Sequence, residues 1–176
     1  MANRDAIREL QTRLASRLQA ARSDGASVAW LAVKAGGGNY LFPLGQSGEI
    51  FPVSGVQVVP YAKPWFQGVI NIRGGLFGIV DFAGFLQETC QRPRTQAPAQ
   101  DLSVVTLNPA LEVNCAVQVD ALAGLRGPEA FVSYEPAAAD APEFFGNQFL
   151  DAAGVQWQEI NLRTLSLSPQ FLSISV

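Results

Sequence analysis

The chain has 176 residues, of which 48% are hydrophobic and 15% charged, and it contains no histidine. That excludes a histidine general base, a His-assisted nucleophile and a His-containing zinc site, and two cysteines, Cys90 and Cys115, fall short of a four-thiolate cage. A net charge of −3 and a pI near 4.9 argue against a general nucleic-acid surface, and 11 Phe, 3 Trp and 3 Tyr argue against disorder.

The opening MANRDAIREL carries charge and no apolar signal core. Nothing further along reads as an uncharged apolar stretch of ~18 residues, so no membrane-spanning helix is expected. Residues 1–24 form a helical extension. Within it, Arg4 to Arg22 places Ile7, Leu10, Leu14, Leu18 and Ala21 on one face of an amphipathic helix. Arg4, Arg8, Arg13, Arg17 and Arg22 against Asp5, Glu9 and Asp24 give it +2, whereas residues 25–176 carry −5. Two placements remain open, one on the chain's own domain and one on a partner or membrane surface.

Short β runs follow. Ser27–Lys34 and Tyr40–Leu44 flank a turn at Gly36-Gly37-Gly38-Asn39. Val56–Val59 is another run, and Pro60 and Pro64 then fix an extended loop. Gly68–Ile72 and Leu76–Phe82 read as a hairpin whose Arg73-Gly74-Gly75 turn needs positive φ. Asp81–Thr89 suits a helical turn. The polar, proline-bearing stretch 91–100 reads as an exposed inter-half loop. Leu102–Leu107 and Leu111–Val119 are strands, the second turning Val113, Cys115, Val117 and Val119 to one face. After a break over Glu135–Pro142 come Phe144–Leu150, Val155–Leu162 and Phe171–Val176.

The second half repeats the first weakly. Gly74 to Asp81 corresponds to Gly154 to Asn161, with Phe77 on Trp157, Val80 on Ile160, Phe82 on Leu162 and Phe85 on Leu165. Phe66-Gln67-Gly68 echoes Phe144-Phe145-Gly146 after an insertion. Many short strands with glycine and proline turns indicate a mainly β fold of barrels or a sandwich.

Few residues suggest catalysis. Gly36-Gly37-Gly38 lacks the Lys-Ser/Thr and the helix of a phosphate loop, and the glycines from Gly68 to Gly78 lack the dinucleotide pattern. Asp81, Asp120 and Glu49 are read as solvated or turn-capping carboxylates; a hydrolase built on Asp81 or Glu49, or a small-ligand-binding β-barrel, is the alternative to a protein-binding role. Cys90 has no base to activate it, and Cys115 reads as a buried thiol. Trp65-Phe66 is the aromatic pair most exposed by its context, serving as an interface or as a core lid. Arg73, at a hairpin apex, either reaches a partner carboxylate or pairs within the chain.

The stretch VPYAKPWFQGVINIRGGLFGIVDF, residues 59–82, resembles the signature of CheW-like domains: V-P-x-x-P, a glycine, G-V-x-N-x-R-G, and a hydrophobic strand ending in V-D-L. Val117-Gln118-Val119-Asp120 and Phe144–Leu162 match the family's second half more loosely. Gly78, Phe82 and Asn161 depart from the usual proline, leucine and aspartate. The N-terminal extension is similar to the PilI-type members tied to type IV pilus twitching systems.

The resemblance implies two intertwined SH3-like five-stranded β-barrels over residues 27–176, without catalysis, cofactor or metal. It implies an adaptor joining a transmembrane chemoreceptor's cytoplasmic tip to the regulatory domain of a CheA-type histidine kinase. Its location would be cytoplasmic, at polar receptor arrays. In the family the receptor groove lies between the barrels, and the matching positions here are Gly68, Asn71, Arg73, Gly74 and Glu49 with Ile50.

Overall fold

Glycine turns and apolar alternation lay down most of the backbone, and the long-range pairing of those pieces defines the architecture. The computed structural model describes residues 2–23, 29–97 and 100–176, and within the first helix the side chains of residues 4–16. In chain order the elements are α1 (Ala2–Ser23), β1 (Trp30–Ala35), β2 (Gly38–Pro43), a 3-10 turn (Leu44–Gln46), β3 (Ser47–Pro52), β4 (Phe66–Ile72), β5 (Gly75–Asp81) and α2 (Phe82–Cys90). The second half runs through β6 (Ser103–Leu107), β7 (Cys115–Val119), β8 (Ala121–Arg126), β9 (Phe131–Glu135), β10 (Phe145–Asp151), β11 (Gln156–Ile160), α3 (Leu162–Leu167) and α4 (Pro169–Leu172).

The strands form two sheets, ordered β8-β1-β2-β11-β10-β9 and β3-β6-β7-β5-β4. The first hairpin therefore completes the sheet of the last strands, with β2 parallel to β11, while β7 runs parallel to β5 in the other sheet. Each half lends two strands to the opposite unit. The two orders coincide when β8, β1, β2, β11 and β10 are laid on β3, β6, β7, β5 and β4. This is the intertwined pair of β units expected, with one strand more: β9 flanks β10, and in the other unit that place beside β4 is held by a single bridge, Gln57–Val69.

The repeat read in the sequence is a repeat in space. Val80 and Ile160, Phe82 and Leu162, and Phe85 and Leu165 are all essentially fully buried in one central cluster between the sheets. The two ends agree as well: Asp81 N donates to Trp65 O at 2.8 Å, and Asn161 N donates to Phe144 O at 2.7 Å. Trp65-Phe66 thus corresponds to Phe144-Phe145, one residue away from the alignment expected for Phe66-Gln67-Gly68. Trp65 is accordingly core, 1% exposed and edge-on to Phe85, rather than a displayed aromatic. Each sheet also encloses its own cluster, Ile70, Ile79, Val104 and Ala116 in one and Ala32, Leu41, Phe149 and Trp157 in the other.

α1 lies on its own domain. It packs against β3, β8 and the 3-10 turn, buries Leu14, and donates Gln11 Nε2 to Ser103 Oγ at 2.6 Å. The seam runs through Ile7, Gln11 and Leu14 and turns Leu10 outward, 52% exposed. Leu18 and Ala21 lie outside the described side chains, as do Ser27 and Val28 of the first expected strand.

Several local expectations give way to non-local structure. The 91–100 stretch is pinned where it is described. Arg92 lies over the Tyr40 and Phe145 rings at 5.4 and 5.3 Å, and Thr95 donates both N and Oγ1 to Gly36 O. Burial raises the Tyr40 phenol above its ordinary value against the opposing effect of Arg92. Phe82 begins a helix rather than ending a strand, and Leu111 closes a 3-10 turn before β7 begins at Cys115. The expected strand Phe171–Val176 is instead the end of α4 followed by one bridge, Ala62–Ser175. The helix is specified by Pro169 in its first turn and by Ser168, whose Oγ accepts from Phe171 N. Strands β3, β8 and β9 escaped the reading of the sequence.

Candidate functional site

The hairpin β4–β5 turns at Arg73-Gly74, between the paired residues Ile72 and Gly75. Both turn residues have positive φ, 51° and 82°, the geometry of a type I′ turn. Within the Arg73-Gly74-Gly75 stretch expected to need positive φ, it falls on Arg73 and Gly74, and Gly75 already begins β5. Asn71 stabilises the turn by accepting from Gly74 N through Oδ1 at 3.0 Å. The hairpin holds Arg73 in a conformation that disfavours a side-chain-bearing residue.

Arg73 is 70% exposed at its side chain, yet it is oriented. Nη1 donates to Glu49 Oε1 at 2.7 Å, and the guanidinium lies 5.7 Å from the Phe51 ring centre. Glu49 and Phe51 share one face of β3, and Ile50 faces the other way into the central cluster, 6% exposed. β3 and β4 are the two edges of the five-stranded sheet. The Glu49–Arg73 pair therefore joins those two edges, while the Gln57–Val69 bridge flanks β4 with the segment that follows β3. Gly68, with φ +137°, is buried beside Gln57.

Of the six residues expected to bind a partner, Glu49, Asn71, Arg73 and Gly74 gather at this hairpin. Gly68 lies beneath it as backbone. Ile50 belongs to the core.

Two carboxylates considered for catalysis are each tied to an arginine of their own. Asp81 is buried, and Arg94 Nη2 contacts its Oδ1 and Oδ2 at 2.6 and 2.7 Å. It is an internal anchor for the inter-half segment rather than a solvated carboxylate, and Arg94 carried no signal that would have named it. Asp120 accepts from Gly36 N at 2.7 Å, the turn-capping role expected. A surface cleft of about 690 Å³ opens between the end of α2, residues 140–144 and the α3–α4 junction, and neither Asp81 nor Glu49 lines it. Among the described residues no group of three or more His, Cys, Asp or Glu converges as a metal site, and no helix is long and apolar enough to cross a membrane.

Both thiols are free. Burial pushes the Cys115 thiol from an ordinary 9.0 up to about 12. Unfolding therefore releases a proton between these values, so the contribution of Cys115 to stability is intact below pH 9 and declines toward pH 12. A thiol reagent is expected to label half-buried Cys90 in the native protein and Cys115 only after denaturant is added. Equal native labelling rates would contradict this.

A family model for the CheW-like domain matches residues 29–143. Over 74 residues the chain is 35% identical to Protein PilI of Pseudomonas aeruginosa (strain PAO1), an alignment that covers 42% of each protein. The chain thus aligns with less than half the length of that relative. The crystal structure of the scaffolding protein TtCheW from Thermoanaerobacter tengcongensis superposes with a TM-score of 0.60 at 12% identity, covering 76% of this chain and 88% of that one. That likeness is one of fold. With the signature hairpin, the exchanged strands and a family match over most of its length, the chain belongs to the CheW-like domain family.

Proposed function

We propose that this protein is a non-catalytic adaptor that couples the cytoplasmic tip of a chemoreceptor to the regulatory domain of a CheA-type histidine kinase. The pathway is one of chemotaxis or of type IV pilus twitching motility, the latter supported by the partial similarity to PilI. The adaptor acts in the cytoplasm, where receptor arrays gather at the pole. The observation that carries the reading is the exposed Arg73, pre-oriented by Glu49 and Phe51 at the apex of the family's signature hairpin. A fixed guanidinium gives up little freedom on meeting a carboxylate, which suits recognition of an acidic group on a partner protein.

Calorimetric titration against a cognate CheA-type regulatory domain tests it directly. Absence of binding at ~100 μM, weaker than about −5.5 kcal/mol, would count against the reading. Arg73→Glu is expected to abolish receptor coupling while shifting stability by about 1 kcal/mol or less, because exposed ion pairs contribute little. The charge-swapped pair Glu49→Arg with Arg73→Glu separates the roles. Coupling that stays lost after the internal pair is rebuilt places Arg73 at the partner; full recovery makes it structural.

A further inference from the structure

We propose that α1 is an intramolecular occupant of a helix-docking groove between the two β units, so that an amphipathic partner helix binds there only as α1 leaves. This rests on the adaptor reading and adds the regulation of its docking surface. β3 and β8, the strands beneath α1, are equivalent edges of the two sheets, so the helix lies along the junction between units. Leu14 enters the central cluster that also holds Ile50. Ile50 is the position where the family resemblance expects partner contact, and here the cluster it shares with the chain's own helix buries it.

The seat is shallow and incompletely filled. Among the described side chains of α1, only Gln11 and Leu14 are buried, with Ile7 and Ala15 partly so. Among the described residues the polar ties between helix and body are Gln11 to Ser103 and the loose Arg4–Asp101 pair at 4.0 Å. A cavity of about 230 Å³ remains between Ile7, Gln11, Asp101, Ser103 and Leu122. Each sheet keeps an apolar cluster to which no described side chain of α1 contributes, so these two clusters persist when the helix departs. The occupant defines its competitor: a helix with apolar residues at i and i+7 and a hydrogen-bonding side chain at i+4. Tethering gives α1 an effective concentration on the order of millimolar, so tenfold closure requires an intrinsic affinity of roughly 100 μM.

The test uses the full chain, as wild type and as Leu14→Asp, with Gln11→Glu as a second variant that leaves the apolar core untouched. Circular dichroism confirms that each is folded. The first probe is a labelled peptide of residues 2–23, supplied in trans. It is expected to bind either variant at roughly 100 μM or tighter and wild type at least about tenfold more weakly. The second probe, a receptor-tip fragment, is expected to show the same preference and to be displaced by the peptide. A peptide that binds neither variant overturns the proposal. So does a tip fragment that binds wild type and variants equally, which leaves the adaptor reading intact. If the peptide discriminates while no tip fragment binds any chain, the groove stands and the adaptor reading falls. A concentration-dependent wild-type dimer in which α1 crosses to a second copy also overturns the intramolecular arrangement.

Discussion

Asp81→Ala is expected to destabilise the protein by about 3–5 kcal/mol, because it strands the Arg94 guanidinium in a poorly solvated site. The two side chains are 10% and 20% exposed, and both carboxylate oxygens meet Arg94 Nη2. For a chain of this size that loss lowers the melting temperature by roughly 6–20 °C. The consequence reaches past the pair itself. Arg94 adjoins Thr95, whose two bonds to Gly36 O hold the β1–β2 turn against the inter-half segment.

Asn161 supplies the control. It occupies the same place in the second repeat, with nearly the same backbone (φ −78°, ψ 100° against −70°, 104° at Asp81), and its side chain caps α3 by accepting from Thr164 N. Asp81 makes no such cap, since its carboxylate is turned to Arg94. Asp81→Asn is therefore expected to cost less than Asp81→Ala, because the amide regains a capping bond of about 1 kcal/mol. Replacing both Asp81 and Arg94 by apolar residues removes the stranded charge and is expected to cost less than either single change. Urea denaturation of the four variants measures the coupling directly, and a midpoint for Asp81→Ala equal to that of wild type refutes the anchoring role.

What the sequence disclosed and what it withheld divide by distance along the chain. The β4–β5 hairpin, the β1–β2 turn and the helical face of α1 are local patterns, legible from glycine positions and apolar spacing. The repeat was legible because Gly74–Asp81 and Gly154–Asn161 keep equal length. It slipped by one residue upstream, where bulges in β4 and β10 interrupt the register. Strand β3 went unread because Ser-Gly-Glu-Ile-Phe-Pro carries turn residues at its ends, and its pairing with β6 joins residues more than fifty apart. Trp65 follows Lys63 and Pro64, a context that suggests exposure, and only its equivalence with Phe144 shows it to be core. Four candidate partner residues were legible as one hairpin motif and its neighbour. That Ile50 lies within the core required knowing which face of β3 is covered, which depends on α1 and the central cluster.

Gly68 and Gly74 have no side chain and can act only through the backbone, and their surroundings differ sharply. Each has positive φ, +137° and +82°. A Cβ on Gly74 meets nothing within 4 Å, so Gly74→Ala is expected to cost only the strain of a left-handed alanine, about 1–2 kcal/mol. A Cβ on Gly68 falls 2.1 Å from Gln57 O and 2.8 Å from Gln57 C. Those are backbone atoms of the bridge to Val69, whose two hydrogen bonds measure 2.8 and 2.9 Å, and no rotamer change relieves the clash. Gly68→Ala is therefore expected to cost about 3 kcal/mol or more, combining backbone strain of about 1–3 kcal/mol with overpacking of similar size. The chain's escape from the clash is to break the bridge, which frees the edge of β4 and disturbs the base of the hairpin that presents Arg73. Amide exchange reports this separately from global stability: Val69 and Gln57 lose protection in Gly68→Ala and keep it in Gly74→Ala. Partner binding should follow the same division, surviving in Gly74→Ala at a temperature where both variants are folded and weakening in Gly68→Ala. Equal stability losses in the two variants would mean that the Gln57–Val69 bridge does not close this unit.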